Sequence, residues 1–142
     1  MNWTSLLRAL CWLAIPPAMI CCWYLALIAG MMAHSFAKWF CPPEEMISGF
    51  CMADWFAAAD QAARCFGAAV AAALMVAVAT LLAPSQKRRV AINVFVLGCM
   101  VALTMGVGLR AYAELLAAVV GGAIALAASI RALRDRSRNR QH

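Results

Sequence analysis

The sequence predicts an all-α integral membrane protein in which four transmembrane helices form a compact bundle. Of its 142 residues, 66% are hydrophobic and 13% are charged, and the mean hydropathy is +0.82. A chain this apolar cannot present the polar surface of a water-soluble domain. Four apolar stretches, each close to the ~20 residues that cross a bilayer, take up almost all of it. We therefore expect one membrane domain over residues 1–130, followed by a basic tail over residues 131–142.

The boundaries of the four spans follow from residues that end or interrupt helices. We expect spans over about residues 6–33, 55–83, 90–106 and 110–130. Pro84 closes the second span, because the residue before a proline is disfavoured in helical geometry. Gly106 and Gly108 permit the tight turn before the fourth span. The first apolar stretch is too long for the core of a signal peptide and is interpreted as a retained span.

Basic residues predict the orientation of the bundle. Lys87, Arg88 and Arg89 lie between the second and third spans, and five arginines lie in the tail. The positive-inside rule places both groups in the cytoplasm and so predicts an N-in, C-in topology. The loop between the first two spans is net acidic and should face outward. Abundant alanine and arginine are typical of a GC-rich bacterial genome, which favours the bacterial inner membrane, with the first outer loop in the periplasm and the tail in the cytoplasm.

Two features are predicted for that first outer loop. The run Pro42-Pro43-Glu44-Glu45 suits the first turn of a helix, and Gly49 would end it, so we expect a short interfacial helix. Cys41 and Cys51 are the loop's two cysteines, out of seven in the chain. An oxidising compartment favours a disulfide between them. A redox-active pair is the alternative, although catalytic dithiols are usually spaced Cys-x-x-Cys.

Two matched pairs of charges lie near the predicted outer ends of spans 2 and 4. Asp60 and Arg64 are four residues apart, as are Arg110 and Glu114. Each pair can form within its own helix. The pairs can also cross between helices, Asp60 with Arg110 and Arg64 with Glu114. We interpret the four residues as a structural clasp, or alternatively as the lining of an outer vestibule on a substrate path.

A metal-handling role is a weaker hypothesis that depends on soft ligands in span 1. Met31, Met32 and His34 lie at its outer end and could bind copper. The vicinal pair Cys21-Cys22 resembles the thiol pair in the first span of mercury-uptake membrane proteins. Those proteins also use a second thiol pair on the cytoplasmic side, which this chain lacks. Thioethers and thiols are also ordinary apolar side chains in lipid-embedded helices.

Small residues recur every four positions in three spans, which predicts close packing of helices. The three strips are Ala59, Ala63, Gly67 and Ala71; Gly98, Ala102 and Gly106; and Ala113, Ala117, Gly121, Ala125 and Ser129. The strips do not say whether the partner helices belong to this chain, to a second copy or to another protein.

No phosphate-binding loop, nucleophile elbow or zinc-protease motif is present in the sequence. We therefore expect a non-enzymatic accessory or assembly subunit of a membrane complex, without a cofactor. Its expected partners are the lipid bilayer and other membrane subunits or further copies of itself, and not nucleic acid. A small oligomeric transporter or channel is the leading alternative. A thiol-redox or soft-metal-handling protein is the weaker one.

Overall fold

Four long helices make up most of the computed structural model, which describes residues 3–139 except the side chains of residues 4, 5 and 137. The helices are α1 (Trp3–Trp39), α2 (Phe56–Leu82), α3 (Lys87–Gly108) and α4 (Tyr112–Arg138). Each contains a stretch that is long and apolar enough to cross a membrane. The four predicted apolar helices are therefore confirmed.

The largest differences from the expected spans are at the C-terminal ends of α1 and α4. The 37 residues of α1 continue six residues past the expected end of span 1 and measure about 55 Å, against a hydrocarbon core of about 30 Å. No proline or glycine interrupts the chain between Met31 and Trp39, so nothing local ends the helix earlier. Similarly, α4 continues through the first part of the predicted tail to Arg138. Residues 140–142 lie outside the described part of the chain.

The helices pack in the spatial order α1, α2, α4, with α3 lying against both α4 and α2. The α2–α4 pair is the most extensive contact, and α1 packs along α2 alone among the helices. Because successive helices run in opposite directions, the bundle has two distinct ends. We call the end that carries Cys41 and Cys51 the disulfide end. The opposite end, where α3 begins with Lys87, Arg88 and Arg89, is called the basic end.

Glycines set the two closest helix crossings. A Cβ atom added to Gly67 of α2 would lie 3.5 Å from the Cα atom of Gly30 in α1. At the α2–α4 crossing, a Cβ atom on Gly121 would lie only 2.4 Å from the carbonyl oxygen of Ala69. The small-residue strips of α2 and α4 are thus engaged within the chain, whereas Gly98 on the α3 strip has no neighbouring atom within 4 Å of its Cβ position.

The loop at the disulfide end differs from the expected short helix. Pro43–Glu45 forms one 3-10 turn, and it is followed by an antiparallel hairpin of β1 (Met46–Ile47) and β2 (Phe50–Cys51). The two residues at the hairpin tip, Ser48 and Gly49, both have positive φ angles, of 50° and 81°. This is the backbone conformation that a two-residue hairpin turn requires. The chain therefore reverses at Ser48-Gly49 before a second helical turn can form.

The hairpin is held against the ends of α1 and α2. The Cys41 and Cys51 sulfur atoms lie 1.98 Å apart, at disulfide distance. Both cysteines are buried with Ala53, and Phe56 of α2 packs against them. The Nζ atom of Lys38 near the end of α1 donates a hydrogen bond to the carbonyl oxygen of Gly49, at 3.1 Å. These contacts fix the position of the loop over the disulfide end of the α1–α2 pair.

Candidate binding groove and charged cluster

A groove of about 1120 Å³ opens between α1 and α3, with α2 and α4 as its floor. It exists because α1 packs along α2 and makes no comparable contact with α3. On α1 its lining extends from Met19 to Ser35, and on α2 from Asp60 to Val76. At 1.5 Å per helical residue this is a length of about 24 Å, which exceeds the thickness of one leaflet of a hydrocarbon core of about 30 Å.

The groove is apolar along most of its length. Small and aliphatic side chains line its deeper part on all four helices, among them Ala71, Met75, Val94, Gly98, Ala102 and Val119. Its charged lining is confined to the disulfide end and consists of His34, Asp60, Arg64 and Glu114. We refer to these four residues as the charged cluster. An apolar groove with one charged end suits an amphiphile, whose tail would lie in the groove and whose head would lie at the cluster.

The charged cluster is a chain of contacts that joins three helices. His34 of α1 pairs with Asp60 of α2 through its Nδ1 atom, at 2.6 Å from Oδ1. The other carboxylate oxygen of Asp60 accepts a hydrogen bond from Arg64, one helical turn further on. The Nε atom of Arg64 lies 3.3 Å from Oε1 of Glu114 in α4. Arg64 therefore bridges the carboxylates of two different helices.

Helix geometry accounts for the position of each group. Asp60 lies four residues into α2 and Glu114 two residues into α4, so both carboxylates lie within about 6 Å of their helix starts. Carboxylates are favoured there by the positive end of the helix dipole. The imidazole of His34 packs edge-on against the ring of Phe56, with the centroids 5.6 Å apart, which directs the ring toward α2.

The cluster has one fewer positive charge than its carboxylates require when His34 is neutral. Asp60 and Glu114 contribute two negative charges and Arg64 one positive charge. Asp60 is contacted at both oxygens, whereas Arg64 is the ion-pair partner found for Glu114 among the described residues, through Oε1. Glu114 retains 23% of its side-chain exposure, and Arg64 retains 54%. Both groups can therefore still contact a molecule in the groove.

Arg110 does not join the cluster, which corrects part of the expected charge clasp. The cross-pair of Arg64 with Glu114 is formed, but the expected pair of Asp60 with Arg110 is not. Within residues 3–139, Arg110 makes no ion pair. Its φ angle of 54° places it in the turn before α4 begins at Tyr112, so it lacks the helical spacing to Glu114 that the sequence suggested. Asp60 is paired with His34 instead.

The residues of the metal hypothesis differ in their surroundings. Met31 lines the groove and Met32 does not, and the side chains of both are exposed. Cys21 is exposed and Cys22 is buried. His34 uses one ring nitrogen for Asp60. Within residues 3–139, no group of three His, Cys, Asp or Glu side chains is arranged to hold a metal ion.

A double-mutant cycle tests whether the ion pair between Arg64 and Glu114 stabilises the protein. Because Arg64 is the cation between two carboxylates, we expect Arg64→Ala to destabilise the protein more than Glu114→Ala does. The double change should restore part of the loss, giving a coupling of about 1 kcal/mol, which is modest because Arg64 is half-exposed. The measurement is thermal unfolding in detergent. Arg110→Ala is the matched control, and equal coupling of Glu114 to Arg110 would contradict the assignment.

Comparison with known proteins finds no matching family model, no similar curated protein and no similar solved structure. The fold and the groove define the class of protein. It is a four-helix protein whose helices can each span a membrane, with an apolar lateral groove that ends in a charged cluster.

Proposed function

We propose that this chain is a non-enzymatic accessory subunit of a membrane complex, and that it contributes a lateral groove that holds one lipid-like amphiphile. This proposal depends on one observation: the groove is apolar along most of its length and has the charged cluster at one end. The groove accepts the apolar tail, since burying apolar surface against matching side chains needs no polar partner. The cluster accepts the polar head at the depth where lipid heads meet the hydrocarbon core.

The polar lining argues for binding in place rather than for transport across the membrane. A transport path needs polar groups near the bilayer midplane. In the described residues, the charged lining of the groove stays within about 12 Å of the helix ends at the disulfide end, and Arg64 is its deepest member. The accessory role is therefore favoured over the transporter.

The proposed setting is the bacterial inner membrane, with the disulfide end in the periplasm. At the basic end α3 begins with Lys87, Arg88 and Arg89, and α4 ends with Arg134, Arg136 and Arg138 in its last two turns. Concentrated positive charge favours the cytoplasmic side. Cys41 and Cys51 at the opposite end suit an oxidising compartment. A pull-down in mild detergent identifies the membrane subunits that this protein accompanies.

Blocking the groove tests the binding proposal. Gly98→Leu places a large side chain in the groove at a position where an added Cβ atom meets no neighbouring side chain or helix, and leucine is a better helix former than glycine. We expect the wild-type protein to retain one lipid-like molecule per chain after mild purification. Gly98→Leu should retain at least about tenfold less, because its side chain takes the place of the tail. Native mass spectrometry measures the retained mass.

Val96→Leu is the matched control, since Val96 lies on the same helix, is exposed, and does not line the groove. It should retain the molecule as the wild-type protein does. Equal retention in Gly98→Leu and Val96→Leu would show that any bound lipid lies elsewhere, and would contradict the proposal.

A further inference from the structure

We propose that the ligand of the groove is an aminophospholipid, whose head carries a primary ammonium and a phosphate. This inference rests on the proposed function and adds the chemistry of the head. It follows from which charges the cluster offers and which of them still lack partners. One acyl chain would lie in the apolar part of the groove, and the head would lie among His34, Asp60, Arg64 and Glu114.

Glu114 supplies the site for the ammonium. Its Oε1 atom faces Arg64 at 3.3 Å, and no ion pair to its second oxygen is formed among the described residues. The carboxylate lines the groove and is partly exposed. A primary ammonium brings three N–H donors and one positive charge, and can form a charge-assisted hydrogen bond with that carboxylate.

Arg64 supplies the site for the phosphate. Its Nε atom lies 3.3 Å from Oε1 of Glu114, while Nη1 and Nη2 donate hydrogen bonds to Asp60 and Gln61 within the same helix. The guanidinium has five N–H donors and more than half of its side chain is exposed, so donors remain for a phosphate oxygen. Ammonium and phosphate sites therefore lie side by side on the two ends of one ion pair, which matches a zwitterionic head.

The same charges predict different affinities for different lipid heads. A purely anionic head brings negative charge next to the carboxylate of Glu114 and offers it no cation. A trimethylated ammonium keeps the positive charge but has no N–H donor for Glu114. The expected order of affinity is therefore the primary ammonium head first, the trimethylammonium head second and an anionic glycerol head last.

The test measures lipid binding by delipidated protein in detergent, with micelles that contain phosphatidylethanolamine, phosphatidylcholine or phosphatidylglycerol. For the wild-type protein we expect phosphatidylethanolamine to bind at least about tenfold more tightly than phosphatidylcholine, the size of one charge-assisted hydrogen bond. In Glu114→Gln this ratio should fall to about one, and phosphatidylglycerol should gain affinity. Free phosphoethanolamine, which has no tail, should not compete at the same concentration.

Glu44→Gln removes a carboxylate at the same end of the bundle but outside the groove and serves as the charge control, so it should keep the wild-type selectivity. An unchanged ratio in Glu114→Gln, or equal binding of the three lipids by the wild-type protein, would overturn the head assignment while leaving the groove proposal intact. The absence of binding by any of the three lipids would overturn both.

Discussion

Replacing Gly121 with alanine should destabilise the protein by about 3 kcal/mol or more, the largest effect that we expect from a single methyl group. The new Cβ atom would lie 2.4 Å from the carbonyl oxygen of Ala69 and 2.8 Å from its Cα atom. Both are backbone atoms, so no side chain can rotate away. The α2 and α4 helices must move apart along their most extensive contact, and overpacking of this kind costs about 1–3 kcal/mol or more.

The matched control for this change is Gly98→Ala. Gly98 also lies inside a long apolar helix, but no atom lies within 4 Å of its Cβ position. Alanine there should leave the stability unchanged or raise it slightly, by up to about 1 kcal/mol, because alanine is the better helix former. Thermal unfolding of both variants in the same detergent measures the difference. Equal stability of the two variants would show that α2 and α4 are not in close contact at Gly121.

Removing the disulfide between Cys41 and Cys51 should have the second-largest effect on the stability of the protein. The change to serine at both positions removes a cross-link between residues ten apart in sequence. Without the cross-link the unfolded chain regains conformational entropy, and this lowers the free energy of unfolding by about 2–3 kcal/mol. Thermal unfolding with and without reductant measures this loss in the wild-type protein. Cys21→Ser is the control, because Cys21 is a free and exposed cysteine.

Thiol labelling tests the same pair independently of stability. In the oxidised wild-type protein both cysteines should be protected together, and reductant should release them together. In Cys41→Ser, the thiol of Cys51 should become reactive toward a labelling reagent under denaturing conditions. A Cys51 that stayed unreactive in that variant would contradict the pairing.

Long-range patterns in the sequence predicted the helices well, because hydrophobicity over ~20 residues is a property of each segment alone. The structure keeps α2 at residues 56–82, within one residue of the expected 55–83 at each end. The matched charges on spans 2 and 4 also indicated the correct neighbours, since Arg64 contacts Glu114. Errors are concentrated where one helix ends and the next begins. Arg110 was expected inside span 4, but it lies in a turn.

Two features depend on contacts that the local sequence does not encode, and a third had a local signal that was interpreted differently. His34 pairs with Asp60 across 26 residues of sequence, and no spacing rule connects them. The groove exists because α1 packs along α2 and leaves α3 uncovered, which is a matter of tertiary arrangement. The hairpin had a local signal, because Ser48-Gly49 is a turn-forming pair, but the Pro43-Glu44-Glu45 run was interpreted as the start of a helix.

The small-residue strips show how a correct pattern can leave its partner open. They predicted close helix packing, and Gly67 and Gly121 do lie at close crossings within the chain. The strip of α3 serves both purposes, since Gly106 packs against Leu115 of α4 whereas Gly98 and Ala102 line the groove. Part of the α3 repeat therefore serves helix packing, and part widens a space that we assign to a lipid tail.

Photocrosslinking tests the central claim, that the groove between α1 and α3 holds a lipid tail, most directly. The probe is phosphatidylethanolamine with a photoreactive group near the end of one acyl chain, and the readout is the position of each label. We predict labels on groove residues of both facing helices at the end far from the charged cluster, such as Met19 and Val94, well above those on the exposed residues Val96 and Met100 outside the groove. Labels spread evenly over all exposed apolar residues would contradict the claim.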